Sequence, residues 1–301
     1  MTDFTHQIIG FSWKNGEILR PQLELQQLPG VETQLIDLTV PFRFNWVLSA
    51  ERYCIGWMDQ TGRHPCGKAN VLENNHDQCF ECENKTGFKS ASWFGGAPND
   101  YMQELLKQDH YIYLAFFPPN IIKVGTAAAQ RRYKRLMEQD ALLAMFIAQA
   151  DGFNIQKLEH YISKELNYPE SVSSKHKYKF ISQKIAAAKA VEMLESACRQ
   201  ITAKVERSQY ATWLISPQVV DQTENPFVFY PELEQRITEL KAVGSLAGDF
   251  VGLRGKYLLL RDQSELFSIN LQQLHGRKVF ASSTELHLPP PEQPAQMNLW
   301  A

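Results

Sequence analysis

Four cysteines, Cys54, Cys66, Cys79 and Cys82, fall within a stretch from Cys54 to Gly96 where Gly, Asn, His and Asp dominate and hydrophobic periodicity fails. A segment with no apolar repeat cannot bury a core of its own, so its order has to come from another source. Cys79 and Cys82 form C-x-x-C, a spacing that lets two thiolates reach one tetrahedral ion. Cys54 and Cys66 complete a four-sulfur set, which leaves no coordination position for water, so the predicted ion is a structural zinc. His64 and His76 lie close enough in sequence for one of them to replace a cysteine ligand. A redox C-x-x-C is the competing reading. It wants the N-terminus of a helix after a strand, whereas this one is embedded in turn-forming residues beside two more cysteines. Cys198 stands alone on a helical stripe and reads as a small buried apolar residue.

The flanks of this segment predict an α+β fold. Before it, QIIGFSW, QLELQQL, VETQLIDLTV and FRFNWVLS read as short antiparallel strands with turns at Asn15-Gly16 and Pro29-Gly30. After it, Asp100 is placed to cap a short helix through Leu106. HYIYLAFF and NIIKVG then make a hairpin across Pro118-Pro119-Asn120. A basic helical segment from Gln130 to Met137, a more apolar helical one through Ala150, and a helix with Ile155, Leu158, Tyr161, Ile162 and Leu166 at helical spacing follow. A long basic helix is expected between Ser173 and Ser208. Strands are expected in ATWLIS, FVFYPEL, DFVGLRGKYLLLR and ELFSINL. The chain thus divides into an N-terminal β segment (1–50), a zinc segment (51–98), a hairpin-and-helix core (99–170), the basic helix (171–208), a β-rich unit (209–285) and a Pro-rich mobile tail (286–301).

With a net charge of -2, the chain does not attract nucleic acid by its total charge, so such a partner has to be met by a local basic patch. Arg131, Arg132, Lys134 and Arg135, with Lys175, Lys177 and Lys179, are the candidates. The first residues lack the basic and apolar runs of a leader, and no window reaches the ~20 apolar residues that span a bilayer. A cytoplasmic protein with no membrane partner is the expectation.

The hairpin carries Tyr111-Ile112-Tyr113 on its first strand and Lys123-Val124-Gly125, then Thr126, on its second; Arg135 and Glu159 follow on successive helical segments. In that order these residues resemble the GIY-YIG nuclease superfamily, with Lys123 where that family has a tyrosine. Together with the cysteine set and GDFVGLRGKYLLL, the chain is similar to an uncharacterised bacterial family of zinc-containing proteins distantly related to those nucleases. The resemblance implies a role in DNA or RNA metabolism, such as DNA repair, with Mg²⁺-dependent endonuclease chemistry. Glu159 would hold Mg²⁺ or Mn²⁺, Arg135 would neutralise charge on the phosphorane, and Tyr111 or Tyr113 would position or deprotonate water, with Lys123 as an alternative base. A non-catalytic nucleic-acid-binding adaptor uses the same residues without hydrolysis, and a protein-interacting scaffold uses none of them. At the C-terminus, Gln296, Leu299 and Trp300 resemble the short peptide by which bacterial replication and repair proteins dock on the sliding clamp.

Overall fold

The computed structural model describes residues 4–39, 41–73, 76–87, 98–232, 235–241 and 244–289; the expected clamp peptide at Gln296, Leu299 and Trp300 lies outside them. Burial of apolar side chains such as Ile8, Trp13, Leu23 and Phe44 drives the first strands, β1 (His6–Lys14), β2 (Arg20–Gln27), β3 (Thr33–Asp37) and β4 (Arg43–Arg52), which are followed by a small ribbon of β5 (Trp57–Asp59) and β6 (Gly62–His64). Helices α1 (Phe80–Thr86) and α2 (Asp100–Lys107) lead into β7 (Asp109–Phe117) and β8 (Ile121–Ala128). Asn99 rather than Asp100 is the N-cap of α2, its side chain accepting from the Met102 N–H. Next come α3 (Arg132–Glu138), β9 (Leu143–Asp151), α4 (Gly152–Leu166), α5 (Ser174–Lys179), α6 (Ala187–Val205) and β10 (Leu214–Asp221). The chain then runs through β11 (Ile237–Leu240), β12 (Ser245–Arg254), β13 (Tyr257–Asp262), β14 (Glu265–Asn270) and β15 (Arg277–Ala281).

Strands from both ends of the chain build one nine-stranded sheet in the order β11-β14-β13-β12-β4-β15-β1-β2-β3. Its core centres on Leu23, Phe44, Leu246, Phe250, Leu258 and Ile269, all essentially inaccessible to water. A second, four-stranded antiparallel sheet, β10-β9-β7-β8, is inserted between the two groups of strands. One of its faces packs Ile112, Leu114, Val124 and Met145 against Ile155, Leu158 and Ile162 of α4 and Leu194 and Ile201 of α6. The other face packs Tyr113, Ala115, Phe117 and Phe146 against Leu136 of α3.

Three local expectations are corrected. The apolar run before Ala150 is the strand β9, not a helix; Leu143 to Ala148 are buried on both faces of the sheet, and a strand of that kind has no alternation to reveal it. The long basic helix is two helices, because the chain turns after Lys179 to bury Ile181 against Tyr257 and Leu259 of the larger sheet. The described part of FVFYPEL, residues 227–232, forms no strand: its backbone crosses over Gly252, where an added Cβ would meet the Phe227 carbonyl and the Phe229 side chain.

The two sheets are joined by packing and by a buried ion pair. Met137 and Leu142, which flank the end of α3, enter the core of the larger sheet. Arg254, at the end of β12, grips Asp140 with Nε–Oδ1 at 2.8 Å and Nη2–Oδ2 at 3.2 Å, and also donates to the carbonyls of Ile181 and Phe229. Gly255 follows with φ +55°, close enough to Asp140 that a side chain there would press on it.

Candidate functional sites: a four-cysteine centre and a basic cleft

The four cysteines are delivered by three places in the zinc segment. Cys54 follows β4, Cys66 follows β6, and Cys79 and Cys82 sit at the N-cap and inside α1. Their sulfurs all lie within 4.8 Å of one another, and Cys66 Sγ is 4.0 Å from Cys79 Sγ. Zn–S bonds of about 2.3 Å place tetrahedral sulfurs about 3.8 Å apart, so the spacing fits that ion. All four thiols are free of disulfides, and Cys54 and Cys82 are buried. Burial pushes the Cys54 thiol up to about 11 and raises Cys82 as well. At Cys79 burial acts the same way, but hydrogen bonds from the Cys82 N–H, Asn70 and neighbouring thiols outweigh it and bring the group to about 7. Burial makes Cys54 and Cys82 resist ionisation, and a cation that offsets the charge makes the four converging sulfurs a coherent set. The Cys79 N–H donates to Cys54 Sγ at 3.2 Å, the kind of outer-shell bond that orients a thiolate ligand.

The C-x-x-C does open a helix, contrary to expectation, so helix position does not separate zinc from redox chemistry; the convergence of Cys54 and Cys66 does. Neither histidine joins the set. His64 stacks on Trp57 with centroids 4.1 Å apart and bonds Asp59 at 2.9 Å. Gly56, with φ +81°, closes this ribbon, since a Cβ there would collide with the His64 carbonyl.

The zinc segment is anchored by Asp77, two residues before Cys79. Its carboxylate accepts from Arg52 at 2.8 Å and from His275 Nδ1 at 3.2 Å. Burial alone would raise Asp77, but His275 and Arg52 together hold it below the usual carboxylate range. Asp77 and His275 form one wall of a cleft of about 770 Å³ where the zinc segment and the two sheets meet. Phe11, Trp13 and Leu253 come from the larger sheet, and Lys123, Arg131, Arg135, Gln139, Glu170, Lys177 and Lys256 bring the charge and polarity.

At the floor, Lys123 Nζ donates to Gln139 Oε1 at 2.5 Å and to the Tyr113 hydroxyl at 3.5 Å, while the Tyr113 hydroxyl donates to the same Gln139 oxygen at 3.0 Å. Tyr113 faces Gly125 across the hairpin, and the absent Cβ makes room for its ring. Burial, reinforced by repulsion from Lys177 and Arg135, brings Lys123 down to about 8. Lys177 donates to the Gln139 carbonyl at 2.6 Å and is brought down to about 8 by burial and by Lys256 and Arg135. Burial and the neighbouring Glu170 push Glu159 up to about 7, against the pull of Lys123 and Arg135. Tyr113 is fully buried and rises to about 12, with Arg135 only partly offsetting its burial.

A family described as "Protein of unknown function (DUF2797)" matches residues 47–279, a span that runs from β4 through the zinc segment and both sheets into β15. The chain belongs to this family. No curated protein and no solved structure matches it.

In this DUF2797 chain, Tyr113, Lys123 and Glu159 are shifted, and the charge of Arg135 acts on all three. Tyr111 stands apart, its ring covered by the Arg132 guanidinium at 5.0 Å. Of the basic candidates, Arg131, Arg135 and Lys177 line the cleft, whereas Arg132 is held between Tyr111 and Tyr133, and Lys134, Lys175 and Lys179 are not among the lining residues. Among the described residues the cysteines are the one group of three or more converging metal-ligating side chains, so Glu159 belongs to no such group. Gln139, Lys256, and the pair Asp77 and His275 were not legible as site residues; they sit in turns and at strand ends, with no motif to mark them. Among the described residues no helix is long and apolar enough to cross a membrane.

Proposed function

We propose that the cleft takes the phosphate backbone of a nucleic acid, DNA or RNA, and that this zinc-stabilised chain works in nucleic-acid metabolism. One observation carries the reading. Among the described residues Lys123, Lys177 and Lys256 make no ion pair, and Arg135 reaches a carboxylate only at 4.0 Å, yet all four line one cleft in a chain of net charge -2. Lys123 is buried and Lys177 half-buried, so their ammonium groups are withdrawn from water without an ion pair, while Arg135 and Lys256 are exposed on the same lining; a phosphate supplies the missing charge. Filter binding of single-stranded, duplex and branched DNA and RNA tests this. Retention that falls with salt is expected, and no retention of any of them at low salt refutes it.

A second reading, phosphodiester cleavage, is favoured by Lys123 and Glu159, whose protonation is drawn toward neutrality from opposite sides. Glu159 would hold Mg²⁺ or Mn²⁺, which would supply Lewis acidity. Arg135 would meet the developing charge, and neutral Lys123 would take the proton of the attacking water. Tyr113, buried and donating to Gln139, suits orientation rather than deprotonation. Metal-dependent products abolished by Glu159→Ala support cleavage; binding without products under Mg²⁺ or Mn²⁺ leaves the adaptor. Docking on a sliding clamp through Gln296, Leu299 and Trp300 is an independent part of the proposal, and unchanged clamp recovery after deletion of residues 296–301 ends it.

A further inference from the structure

We infer that the floor of the cleft is built for a phosphate monoester at the end of a nucleic-acid strand, not for an internal phosphodiester. This rests on the nucleic-acid reading above and makes it narrower. Lys123 and Lys177 come from different elements, β8 and α5, yet both ammonium groups hang on oxygens of one residue, Gln139, through its side chain and its main chain. Arg135 lies one helical turn earlier, its carbonyl accepting from the Gln139 N–H at 3.2 Å, so its side chain rises from the same side of α3. An ammonium has three donors. Lys177 spends one on the Gln139 carbonyl and lays its charge over the Phe117 ring at 4.8 Å, and Lys123 spends a short bond on the Gln139 amide and a longer one on the Tyr113 hydroxyl.

Two of the carboxylates that might answer these cations are engaged elsewhere. Asp140 is taken by Arg254, and Glu138 by Arg131 at 2.8 Å. Glu170 remains on the lining and Glu159 close by, the latter held partly protonated near neutrality. Against Lys123, Arg135, Lys177 and Lys256, an internal diester brings one negative charge and two free oxygens. A monoester brings about -1.5 to -2 and three acceptor oxygens, which suits both the surplus charge and the unspent donors. Size points the same way. About 770 Å³ lies within the range of pockets that enclose a single small molecule, so it holds a terminal nucleotide better than a strand that must enter and leave.

The test is competition on the full-length, zinc-loaded protein with a labelled single strand carrying a 5′-phosphate. The competitors are the same strand with hydroxyl ends, the strand with a 3′-phosphate, a nucleoside 5′-monophosphate and inorganic phosphate. The strand phosphorylated at one end is expected to bind at least roughly tenfold tighter than the hydroxyl-ended strand, the scale of one added charge-assisted bond. Inorganic phosphate should displace the phosphorylated strand but not residual hydroxyl-ended binding. Lys123→Gln and Lys177→Gln should each erase most of the preference, with Lys204→Gln, remote on α6, leaving it intact. Equal, salt-sensitive affinity for phosphorylated and hydroxyl ends overturns the end receptor while the backbone reading stands. A nucleoside monophosphate that binds as tightly as the phosphorylated strand makes this a mononucleotide pocket and overturns it too; no binding of any strand overturns both readings. The competition arms decide the matter on the unaltered protein even if the lysine variants fail to fold.

Discussion

Replacing Arg254 with methionine should be among the most damaging single changes in the molecule. The guanidinium is 3% exposed and the Asp140 side chain 9%, so neither charge has water to fall back on. The variant loses two bonds to Asp140 and leaves the carbonyls of Ile181 and Phe229 short of a donor, while methionine fills much of the volume. Breaking a buried pair from one side costs about 3–5 kcal/mol, because the partner charge stays behind unpaired. For a domain stabilised by about 5–15 kcal/mol that is a large share. Urea denaturation followed by tryptophan fluorescence measures it. The double variant Arg254→Met, Asp140→Asn removes the stranded charge and keeps a residue that tolerates the left-handed backbone of position 140, φ 59°. It should recover at least about 1 kcal/mol over Arg254→Met alone. A loss below about 1 kcal/mol in the single variant, the scale of an exposed pair, would refute the argument. Because Asp140 follows Gln139, the same lesion should loosen the seat of Lys123 and Lys177 and weaken phosphate binding in whatever fraction remains folded.

The metal centre should carry about one zinc per chain by elemental analysis, and Cys82→Ser should lower both the zinc content and the melting temperature; a variant that melts like the parent contradicts a structural ion. Chelation should also weaken binding in the cleft, since Asp77, which holds His275 at the cleft wall, is carried by the zinc segment. For pH, the folded-state value of Lys123, about 8, lies below its usual 10.5, so between these limits the unfolded chain binds more protons than the folded one. Stability should therefore rise as pH climbs through that window, and Lys123→Met should remove its part of the slope. Parallel pH curves of the urea midpoint for the two proteins would show that Lys123 is not perturbed.

Much of the scaffold could be read from residue order alone. Cysteine spacing marked the zinc ligands, and alternation together with Asn-Gly and Pro-Gly turns marked β1 to β4. The β7–β8 hairpin was visible as two apolar runs around a short turn, whereas DFVGLRGKYLLLR, expected as a strand, folds back at Gly255 and Lys256 into the β12–β13 hairpin. What escaped is what depends on tertiary context. β9 is apolar on both faces, so its period is hidden, and β11 joins the sheet by parallel pairing to β14 without a run of its own. Lys177 was legible as one of several basic residues, but its burial was not, because that comes from the turn after α5 folding onto the larger sheet. The cleft gathers residues from Phe11 to His275, and pairings such as Arg254 with Asp140 or His275 with Asp77 span separations that no local pattern encodes.

The most direct measurement of the central claim is the salt dependence of single-strand binding, followed by fluorescence anisotropy, for the parent chain and for Lys123→Gln, Lys177→Gln. If Lys123, Arg135, Lys177 and Lys256 meet strand phosphates, the logarithm of the association constant should fall against that of the salt concentration by about 0.7 for each phosphate neutralised. The double variant should flatten that slope. Affinity indifferent to salt, or a slope the double variant leaves unchanged, would mean that the phosphate backbone does not lie in this cleft.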